Sequence, residues 1–520
     1  MSKQDDVVPP NTPLTTARVE SGVLAGVAGA DAAVTVFKGI PYAAPPAGDL
    51  RWRPPEPPRP WEGVRQADTF GPICPQYVPP PGSFYGDEFY LEEQPQSEDC
   101  LYLNVWTAAE TAAERRPVMV WFHGGGFIEG SGSLPSFHGE TLARKGVVLV
   151  TVNYRLGVFG FFAHPELTAE SEQGVSGNYA LLDQVAALRW VRDNIAAFGG
   201  DAGNVTIFGQ SAGAMSMFLL LVSPLSQGLF HKAIGQSGSA FSFLSTSATL
   251  REVEGRGLQL AESWGASSPG ELRALPVQAL IGPDLETYRA GGHRPNVDGW
   301  AIPEDPIRMV VEGRVPSVPL MLGGTSDEWS PMGAMVPVRI DDYRRQSAQR
   351  FGERAPEFFE LYPAAADQEA RLAQVASMSD QLFAGMRVWA GIHAWRSPQT
   401  YLYYFDRKLP GRNSAFYGAF HSSDLYYVFD TLDSTDRPWE PADRRLADTM
   451  TSYWASFAAA GDPNGAGLAG WPAFDERDDQ VMELGERIGP MPTPKRANIA
   501  FFEREIALWL DREVGRAQPR

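Results

Sequence analysis

The chain has 520 residues, of which 43% are hydrophobic and 21% are charged, and its formal net charge is −19. This composition is typical of a globular protein with a large core, and the acidic balance argues against a nucleic-acid surface, which needs clustered lysine and arginine. No apolar run approaches the roughly 20 residues that span a bilayer, so we expect no membrane span.

The N-terminal segment is polar and rich in proline. We expect residues 1–12 to be disordered and residues 13–515 to form a single domain. The first residues, MSKQDDVVPPNTP, lack the apolar stretch of a signal peptide, which favours the cytoplasm. A secreted or periplasmic location would require that a leader had been removed. Either a monomer or a homodimer is compatible with these features.

Short apolar runs, rich in β-branched residues, recur along the chain and predict strands buried on both faces of a mostly parallel sheet. They occupy residues 117–122, 147–154, 205–208, 319–323 and 400–405. One intervening segment has an apolar stripe at helical spacing, formed by Leu181, Val185, Leu188, Val191 and Ile195. Alternating strands and helices predict α/β layering. Residues from about 331 to 396 are predicted to be mostly helical, as an insertion or lid.

The stretch WFHGGGF, residues 121–127, follows the first of these predicted strands. Consecutive glycines let backbone N–H groups point into a site without obstruction from a Cβ atom. A phosphate-binding loop is the alternative, but no Lys-Ser or Lys-Thr pair follows. An HGGG motif after a strand is typical of an oxyanion hole. We therefore predict that the N–H groups of Gly125 and Gly126 bind a developing oxyanion.

The stretch VTIFGQSAGAMSM, residues 205–217, begins as a strand and ends as a helix, with Ser211 at the switch. A serine in a glycine-rich turn is one interpretation, but a strand-to-helix corner is the context of a nucleophile elbow. Gly209 and Gly213 permit the tight turn, and the helix N-terminus adds a partial positive charge. Ser211 is predicted to be a nucleophile, and the N–H of Ala212 a third oxyanion donor. Together the two motifs predict a serine hydrolase.

A serine hydroxyl needs a histidine to accept its proton. The candidates after Ser211 are His231, His293, His393 and His421. His231 follows the elbow helix too closely, His393 lies in a helix-like stretch, and His293 follows no obvious strand. His421 follows the predicted strand at 400–405, where a loop could place an imidazole over the serine. This position favours His421 as the base.

The acid that orients the histidine is expected where a parallel strand ends. The strand at 319–323 is followed by two candidates, Asp327 and Glu328. The spacing does not choose between them.

Several stretches now resemble the type-B carboxylesterase/lipase family, also called cholinesterase-like, with the bacterial para-nitrobenzyl esterases as the nearest group. They are FKGIPYAAPPAGDLRW (37–52), SEDCLYLNVW (97–106), NYRLGVFGF (153–161), GQSAGA (209–214) and AFHSSDLYYVF (419–429). The resemblance implies an α/β-hydrolase fold with a mostly parallel sheet flanked by helices, and helical insertions forming a gorge. It implies a serine carboxylesterase that hydrolyses small esters through an acyl-enzyme. The implied triad is Ser211, Glu328 and His421, without a cofactor or metal.

The chain departs from the family pattern at two positions. Gln210 stands where a glutamate usually precedes the nucleophile, which removes a negative charge, and Trp329 stands where a glycine usually follows the acid. The loop between the two cysteines lacks the tryptophan that binds choline in cholinesterases, so a choline ester is not expected. The residues expected to contact substrate are Phe127, Gln210, Tyr90 and Phe241.

Cys74 and Cys100 match a disulfide often found in the family. We expect them to lie close enough to bridge on oxidation, and to remain two buried thiols in a reducing cytosol.

Two alternatives stay open beside a general esterase. One is a specialised hydrolase of a bulky xenobiotic, toxin or carbamate ester. The other is a relative that has lost catalysis and binds partner proteins, although such relatives typically lack the nucleophile serine. The acyl and alcohol groups of the substrate are not predicted.

Overall fold

The computed structural model describes residues 14–89, 93–241, 248–282, 293–331, 337–411 and 413–514. The predicted disordered segment 1–12 therefore lies outside the described residues. Fourteen strands occur within the described ranges: β1 (Thr16–Val19), β2 (Gly22–Ala25), β3 (Val27–Ala28), β4 (Thr35–Pro41), β5 (Val64–Gln66), β6 (Tyr102–Thr107), β7 (Arg116–Phe122), β8 (Val148–Val152), β9 (Gly200–Gln210), β10 (Lys232–Gln236), β11 (Leu320–Thr325), β12 (Thr400–Phe405), β13 (Gln480–Leu484) and β14 (Ile488–Pro492).

The α-helices of the described ranges are α1 (Phe84–Phe89), α2 (Glu140–Arg144), α3 (Gly157–Phe161), α4 (Pro165–Glu170), α5 (Tyr179–Asn194), α6 (Ala212–Val222), α7 (Leu250–Ser263), α8 (Pro269–Ala274), α9 (Val277–Ile281), α10 (Pro306–Val311), α11 (Ile340–Phe351), α12 (Ala355–Leu361), α13 (Asp367–Ala394), α14 (Ser414–Tyr417), α15 (Leu425–Val428), α16 (Pro441–Ala460) and α17 (Arg496–Glu513). Among them, none combines the length and apolar character needed to cross a bilayer.

The centre of the fold is an eleven-stranded sheet with the order β14-β13-β12-β11-β10-β9-β7-β8-β6-β4-β3, and a small second sheet has the order β1-β2-β5. Six of the ten pairings in the large sheet are parallel. The remaining four are antiparallel and lie toward its two edges. The predicted mostly parallel sheet is thus confirmed.

The five predicted strands correspond to β7, β8, β9, β11 and β12, although the predicted runs 147–154 and 319–323 extend beyond the observed ends of β8 and β11. Along β7, Val118, Val120 and Phe122 join one buried cluster, whereas Met119 and Trp121 join a second cluster. Successive side chains of a strand point to opposite faces, so the sheet is covered by apolar packing on both sides. This double burial explains why these strands have continuous apolar runs rather than alternating ones.

The helical predictions are also confirmed. Four of the five residues of the apolar stripe lie on α5, which covers residues 179–194, and Ile195 begins the 3-10 helix that follows it. The segment predicted to be helical contains α11, α12 and α13. The strand β10 was not predicted, because its sequence KAIGQ has no apolar run although all five residues are buried. Its burial comes from parallel pairing with β9 and β11, which is a property of the sheet rather than of the segment.

Candidate active site

Ser211 occupies the corner between β9 and α6. Its backbone has φ 56° and ψ −123°, a positive φ that residues other than glycine rarely adopt. The Ser211 N–H donates to the carbonyl of Gln236 over 2.9 Å, and its own carbonyl accepts from the N–H of Met215 over 3.0 Å. These bonds fix the strained corner to the strand β10 and to the first turn of α6. The geometry is that of a nucleophile elbow at the carboxyl end of a parallel strand.

The glycines beside Ser211 allow the strand and helix to approach closely. A Cβ atom on Gly213 would lie 1.9 Å from the carbonyl oxygen of Phe122, and one on Gly209 would lie 2.4 Å from the backbone of Gly213. Both distances are shorter than any real carbon contact. A side chain at either position would therefore push β7, β9 and α6 apart and displace the serine.

The glycine loop that follows β7 lies directly against this corner. A Cβ atom on Gly124 would come within 3.2 Å of the Ser211 Cβ atom. Gly125 and Gly126 have φ values of 107° and 62°, so the backbone turns in a conformation that favours glycine. Neither N–H donates to another group among the described residues. Two backbone donors are thus available next to the hydroxyl, as an oxyanion hole requires.

The side chain of His123 supports this glycine loop. Its ring is stacked on Tyr154, with 4.4 Å between the ring centroids, and its Nδ1–H donates to the carbonyl of Gly124 over 2.8 Å. Burial lowers the pKa of His123 to about 4, so the ring is neutral near pH 7. The histidine of the HGGG motif therefore supports the loop as a neutral ring.

Glu328 and His421 form a close pair. The Nδ1–H of His421 donates to Oε2 of Glu328 over 2.5 Å, and the second carboxylate oxygen accepts from the N–H of Thr325 over 2.8 Å. Glu328 is only 1% exposed. Because both oxygens are engaged, the carboxylate fixes the imidazole with its proton on Nδ1 and leaves Nε2 as an acceptor.

Asp327, the other acid candidate, has a different set of contacts. One of its oxygens, Oδ2, accepts from the N–H of Ala419 over 3.0 Å and from the hydroxyl of Ser326 over 2.7 Å. The same residue also forms an isolated parallel bridge with Phe420. Asp327 thus connects the loop after β11 to the loop that carries His421, while Glu328 contacts the ring.

Gln210 lies beside the free nitrogen of His421. Its amide nitrogen is 3.1 Å from Nε2 and donates to it, and the side chain is 2% exposed. Since Gln210 is the neighbour of Ser211 in the chain, this contact holds Nε2 near the corner between β9 and α6, which we call the nucleophile corner after the predicted role of Ser211. The sequence analysis placed Gln210 among substrate contacts and missed its bond to the histidine, because no local pattern reports a contact across 211 residues.

The remaining histidines have other roles. The Nδ1 atom of His231 accepts from the N–H of Val205 over 3.1 Å, and Nε2 of His393 donates to the carbonyl of Val318 over 2.8 Å. His293 is buried, and burial lowers its pKa to about 4. Within the described ranges, no three His, Cys, Asp or Glu side chains gather as ligands for a metal ion.

An aromatic wall lies next to the histidine. The ring of Trp329 is stacked on that of His421 at an angle of 9°, with 5.9 Å between centroids. Trp329 and Phe241 also line a cavity of about 240 Å³ between α11 and α13. Phe127 is buried at the end of the glycine loop and packs edge-on against Phe161. Tyr90 lies outside the described residues.

A buried acid lies behind the site. Oδ2 of Asp424 accepts from the amide of Gln236 over 3.0 Å and from the hydroxyl of Tyr403 over 2.9 Å. Burial raises the pKa of Asp424 to about 6, although both hydrogen bonds act in the opposite direction. Gln236 is also the residue whose carbonyl accepts from Ser211. Asp424 therefore stabilises the strand end on which the nucleophile corner is fixed.

Cys74 and Cys100 are free thiols in this structure, and both are buried. A hydrogen bond between them and burial both raise the pKa of Cys100. The sulfur of Cys74 also accepts from the N–H of Leu156 over 3.2 Å.

The chain is similar to known esterases along most of its length. The chain matches the model of the Carboxylesterase family over residues 13–502. It is 38% identical to fumonisin B1 esterase of Sphingopyxis macrogoltabida, with 90% of this chain and 86% of that one aligned. Identity to para-nitrobenzyl esterase of Bacillus subtilis (strain 168) is 37%, over 87% and 91% of the two chains.

A solved structure named "thermophylic PNB esterase" has the same architecture. It superposes with a TM-score of 0.78 at 32% identity, and the match covers 93% of this chain and 99% of that one. The predicted α/β-hydrolase fold, with its mostly parallel sheet flanked by helices, is confirmed by this match. The chain therefore belongs to the carboxylesterase family and is a serine carboxylesterase, a hydrolase of carboxylic esters.

Proposed function

We propose that Ser211, His421 and Glu328 are the nucleophile, base and orienting acid of this esterase. The observation that carries the assignment is the 2.5 Å contact between Glu328 and Nδ1 of His421, with Nε2 directed to the nucleophile corner. A carboxylate on Nδ1 keeps the lone pair on Nε2 and stabilises the imidazolium that forms during the reaction. The serine, histidine and acid follow one another in the order typical of this fold.

In the proposed reaction, the Ser211 hydroxyl adds to the ester carbonyl while its proton moves to Nε2 of His421. The tetrahedral intermediate collapses as that proton passes to the leaving alkoxide, which gives an alcohol and an acyl-enzyme. A water molecule then repeats the sequence. His421 takes its proton, the hydroxide adds to the acyl carbon, and the carboxylic acid leaves as Ser211 regains its proton. No cofactor is needed for any step.

The N–H groups of Gly125, Gly126 and Ala212 are the proposed donors to the oxyanion. A preorganised donor of this kind lowers the barrier by about 3 kcal/mol. An N–H group can stabilise the oxyanion in this way only if it is not already hydrogen-bonded in the resting protein. The N–H groups of Gly125 and Gly126 have no such partner among the described residues.

The amide of Gln210 has a role in the resting site. It donates to the lone pair of Nε2 that the serine proton must reach. We infer that this bond holds the neutral ring in place until substrate binds, and that the amide then gives way to the serine hydroxyl.

Two kinds of esterase fit this site: a general enzyme for small carboxylic esters and a specialised enzyme for one kind of ester. A specialised hydrolase of a bulky xenobiotic, toxin or carbamate ester is favoured by the cavity of about 240 Å³ beyond Trp329. Relatives named for fumonisin B1, phenmedipham and cocaine indicate that this scaffold is used for specialised substrates. That the protein is a monomer or a homodimer stays a prediction.

The experiment that tests the assignment measures hydrolysis of p-nitrophenyl acetate, butyrate and octanoate. We expect the wild type to release p-nitrophenol and Ser211→Ala to lose roughly 10³-fold or more of kcat, since the nucleophile is removed. Ser237→Ala is the matched control, because Ser237 is a second serine with a positive φ at the end of the neighbouring strand. It should lose less than about tenfold.

Equal activity of Ser211→Ala and the wild type would overturn the assignment. An inert wild type that also resists covalent labelling at Ser211 would instead favour the non-catalytic binding relative.

A further inference from the structure

The cavity beyond Trp329 is built by two helices and an aromatic floor. Its outer walls are α11 and α13, and its floor includes Phe241, Trp329 and Phe358. Because Trp329 is stacked on His421, the cavity begins one ring away from the imidazole. Neither Ser211 nor His421 is among the lining residues, so a group attached to a substrate carbonyl at Ser211 must pass this ring to enter the cavity.

The helices present polar side chains to this cavity at regular spacing. On α13 these positions are three, four and seven residues apart, and on α11 two neighbouring positions are followed by a third that is three and four residues further on, so each set lies on one face of its helix. The polar lining residues are Gln346, Ser347, Arg350, Gln374, Ser377 and Gln381. Gln346 and Arg350 are exposed, whereas the aromatic residues of the floor are buried, so polar groups lie at the outer end of the cavity and aromatic rings at its inner end.

The charge of this lining is opposite to that of the protein. The chain carries 63 acidic and 44 basic residues, yet none of the described residues that line the cavity is acidic and one, Arg350, is a cation. A positive charge in this cavity attracts an anion, whereas the acidic surface elsewhere repels it.

Arg350, on α11, is held by neutral side chains. Its Nη2 atom donates to Oε1 of Gln381 over 2.8 Å, and its guanidinium lies 5.0 Å from the ring centroid of Phe351. In the described part of the chain, no carboxylate lies within ion-pair distance of it. Arg345 on the same helix is paired with Asp342. The guanidinium of Arg350 is therefore oriented by neutral partners and keeps donors for a ligand.

We propose that this cavity is the subsite for an ester arm that ends in a carboxylate. The proposal rests on the proposed function of Ser211 and names the substrate class of that site. A guanidinium binds a carboxylate with two parallel hydrogen bonds, and the side-chain amides of Gln374 and Gln381 supply further donors. The aromatic floor would contact the methylene groups that separate the carboxylate from the reacting carbonyl.

The test compares two p-nitrophenyl esters whose acyl chains are similar in length and differ in charge. One is mono-4-nitrophenyl suberate, which ends in a carboxylate, and the other is 4-nitrophenyl nonanoate. For Arg350→Gln we expect kcat/KM on the suberate ester to fall about tenfold, mainly through KM, because remote binding is lost while the triad is intact. Hydrolysis of the nonanoate ester should stay within about twofold of the wild type.

A second pair tests the alcohol side of the ester. It consists of the acetate ester of 6-hydroxyhexanoic acid and hexyl acetate, followed by acid release in a pH-stat. The pair that responds to Arg350→Gln identifies which arm of the ester enters the cavity. Arg345→Gln is the matched control, since it removes the same charge from the same helix outside the cavity, and it should leave both pairs unchanged.

The proposal is overturned if Arg350→Gln changes neither pair selectively, if Arg345→Gln has the same effect, or if the wild type fails to hydrolyse both carboxylate-bearing esters. Failure of the proposed function is a separate result, because it would appear as nonanoate hydrolysis that persists in Ser211→Ala.

Discussion

The nucleophile corner and the cavity between α11 and α13 lie on either side of one tryptophan, but they are built in different ways. The corner depends on backbone geometry: a strained serine, glycines in contact with neighbouring strands, and donors in a turn. The cavity depends on side chains of two helices that are distant in sequence, such as Arg350 and Gln381.

This difference separates reaction from selectivity. The corner tolerates few substitutions, because a Cβ atom added at Gly125, Gly209 or Gly213 would meet another backbone atom at less than a normal contact distance. A cavity lined by helix side chains can change its polarity one residue at a time without disturbing the sheet. We therefore expect variants of the corner to reduce the rate for every ester, and variants of the cavity to change which ester is preferred.

The largest effect in this comparison is expected for Glu328→Gln. The amide can still contact the ring but does not enforce the proton on Nδ1 or stabilise the imidazolium, so kcat should fall by about 10³- to 10⁴-fold. Asp327→Asn is the matched control, because its oxygen can still accept from Ala419 and Ser326. It should retain at least a tenth of the activity in steady-state assays. If Asp327→Asn lost as much as Glu328→Gln, the distinction between the two acids would be wrong.

A smaller loss is expected for Gly125→Ala. The new Cβ atom would lie 2.0 Å from the carbonyl oxygen of Glu129, so the loop must move and one oxyanion donor is lost. Loss of a donor corresponds to about 10²- to 10³-fold in kcat. Gly126→Ala has a similar positive φ, but its nearest neighbour would be 3.9 Å away, and we expect less than about tenfold. Thermal unfolding of both variants checks that each is folded; similar kcat values would contradict the role of the close contact.

The smallest effect concerns stability rather than rate. Because burial raises the pKa of Asp424 to about 6, folding favours its protonated form, and its contribution to stability is lost as pH rises through that value. Asp424→Asn keeps a neutral acceptor for Gln236 and Tyr403 at every pH. Between pH 4 and pH 7 the free energy of unfolding of the variant should rise by roughly 2 kcal/mol relative to the wild type. Urea titrations at both pH values measure this difference; a pH-independent difference would show that Asp424 is ionised throughout.

The same contrast explains what could be predicted from the sequence. Ser211, the glycine loop and His421 follow apolar strands and have local signals, because a tight turn demands glycine and a buried strand demands apolar residues. Spacing could not separate Asp327 from Glu328, since adjacent residues at a strand end reach the same region. Their roles differ because the loop after β12 pairs with Asp327 and brings His421 to Glu328.

The cavity had almost no signal in the sequence. Phe241 was expected to contact substrate. The polar positions of α11 and α13, however, have the pattern of the exposed side of two ordinary helices. Only the packing of the helices against each other and against Trp329 turns these residues into one surface. The contact between Gln210 and His421 is of the same kind, because it joins the end of β9 to a loop far along the chain.

The measurement that tests the central claim most directly is labelling with a fluorophosphonate, followed by intact-mass analysis and peptide mapping. We predict one phosphonyl group per chain, on the peptide that contains Ser211, and no labelling of the Ser211→Ala variant. An unlabelled wild type, or an adduct on another residue such as Ser237, would contradict the assignment of Ser211 as the nucleophile.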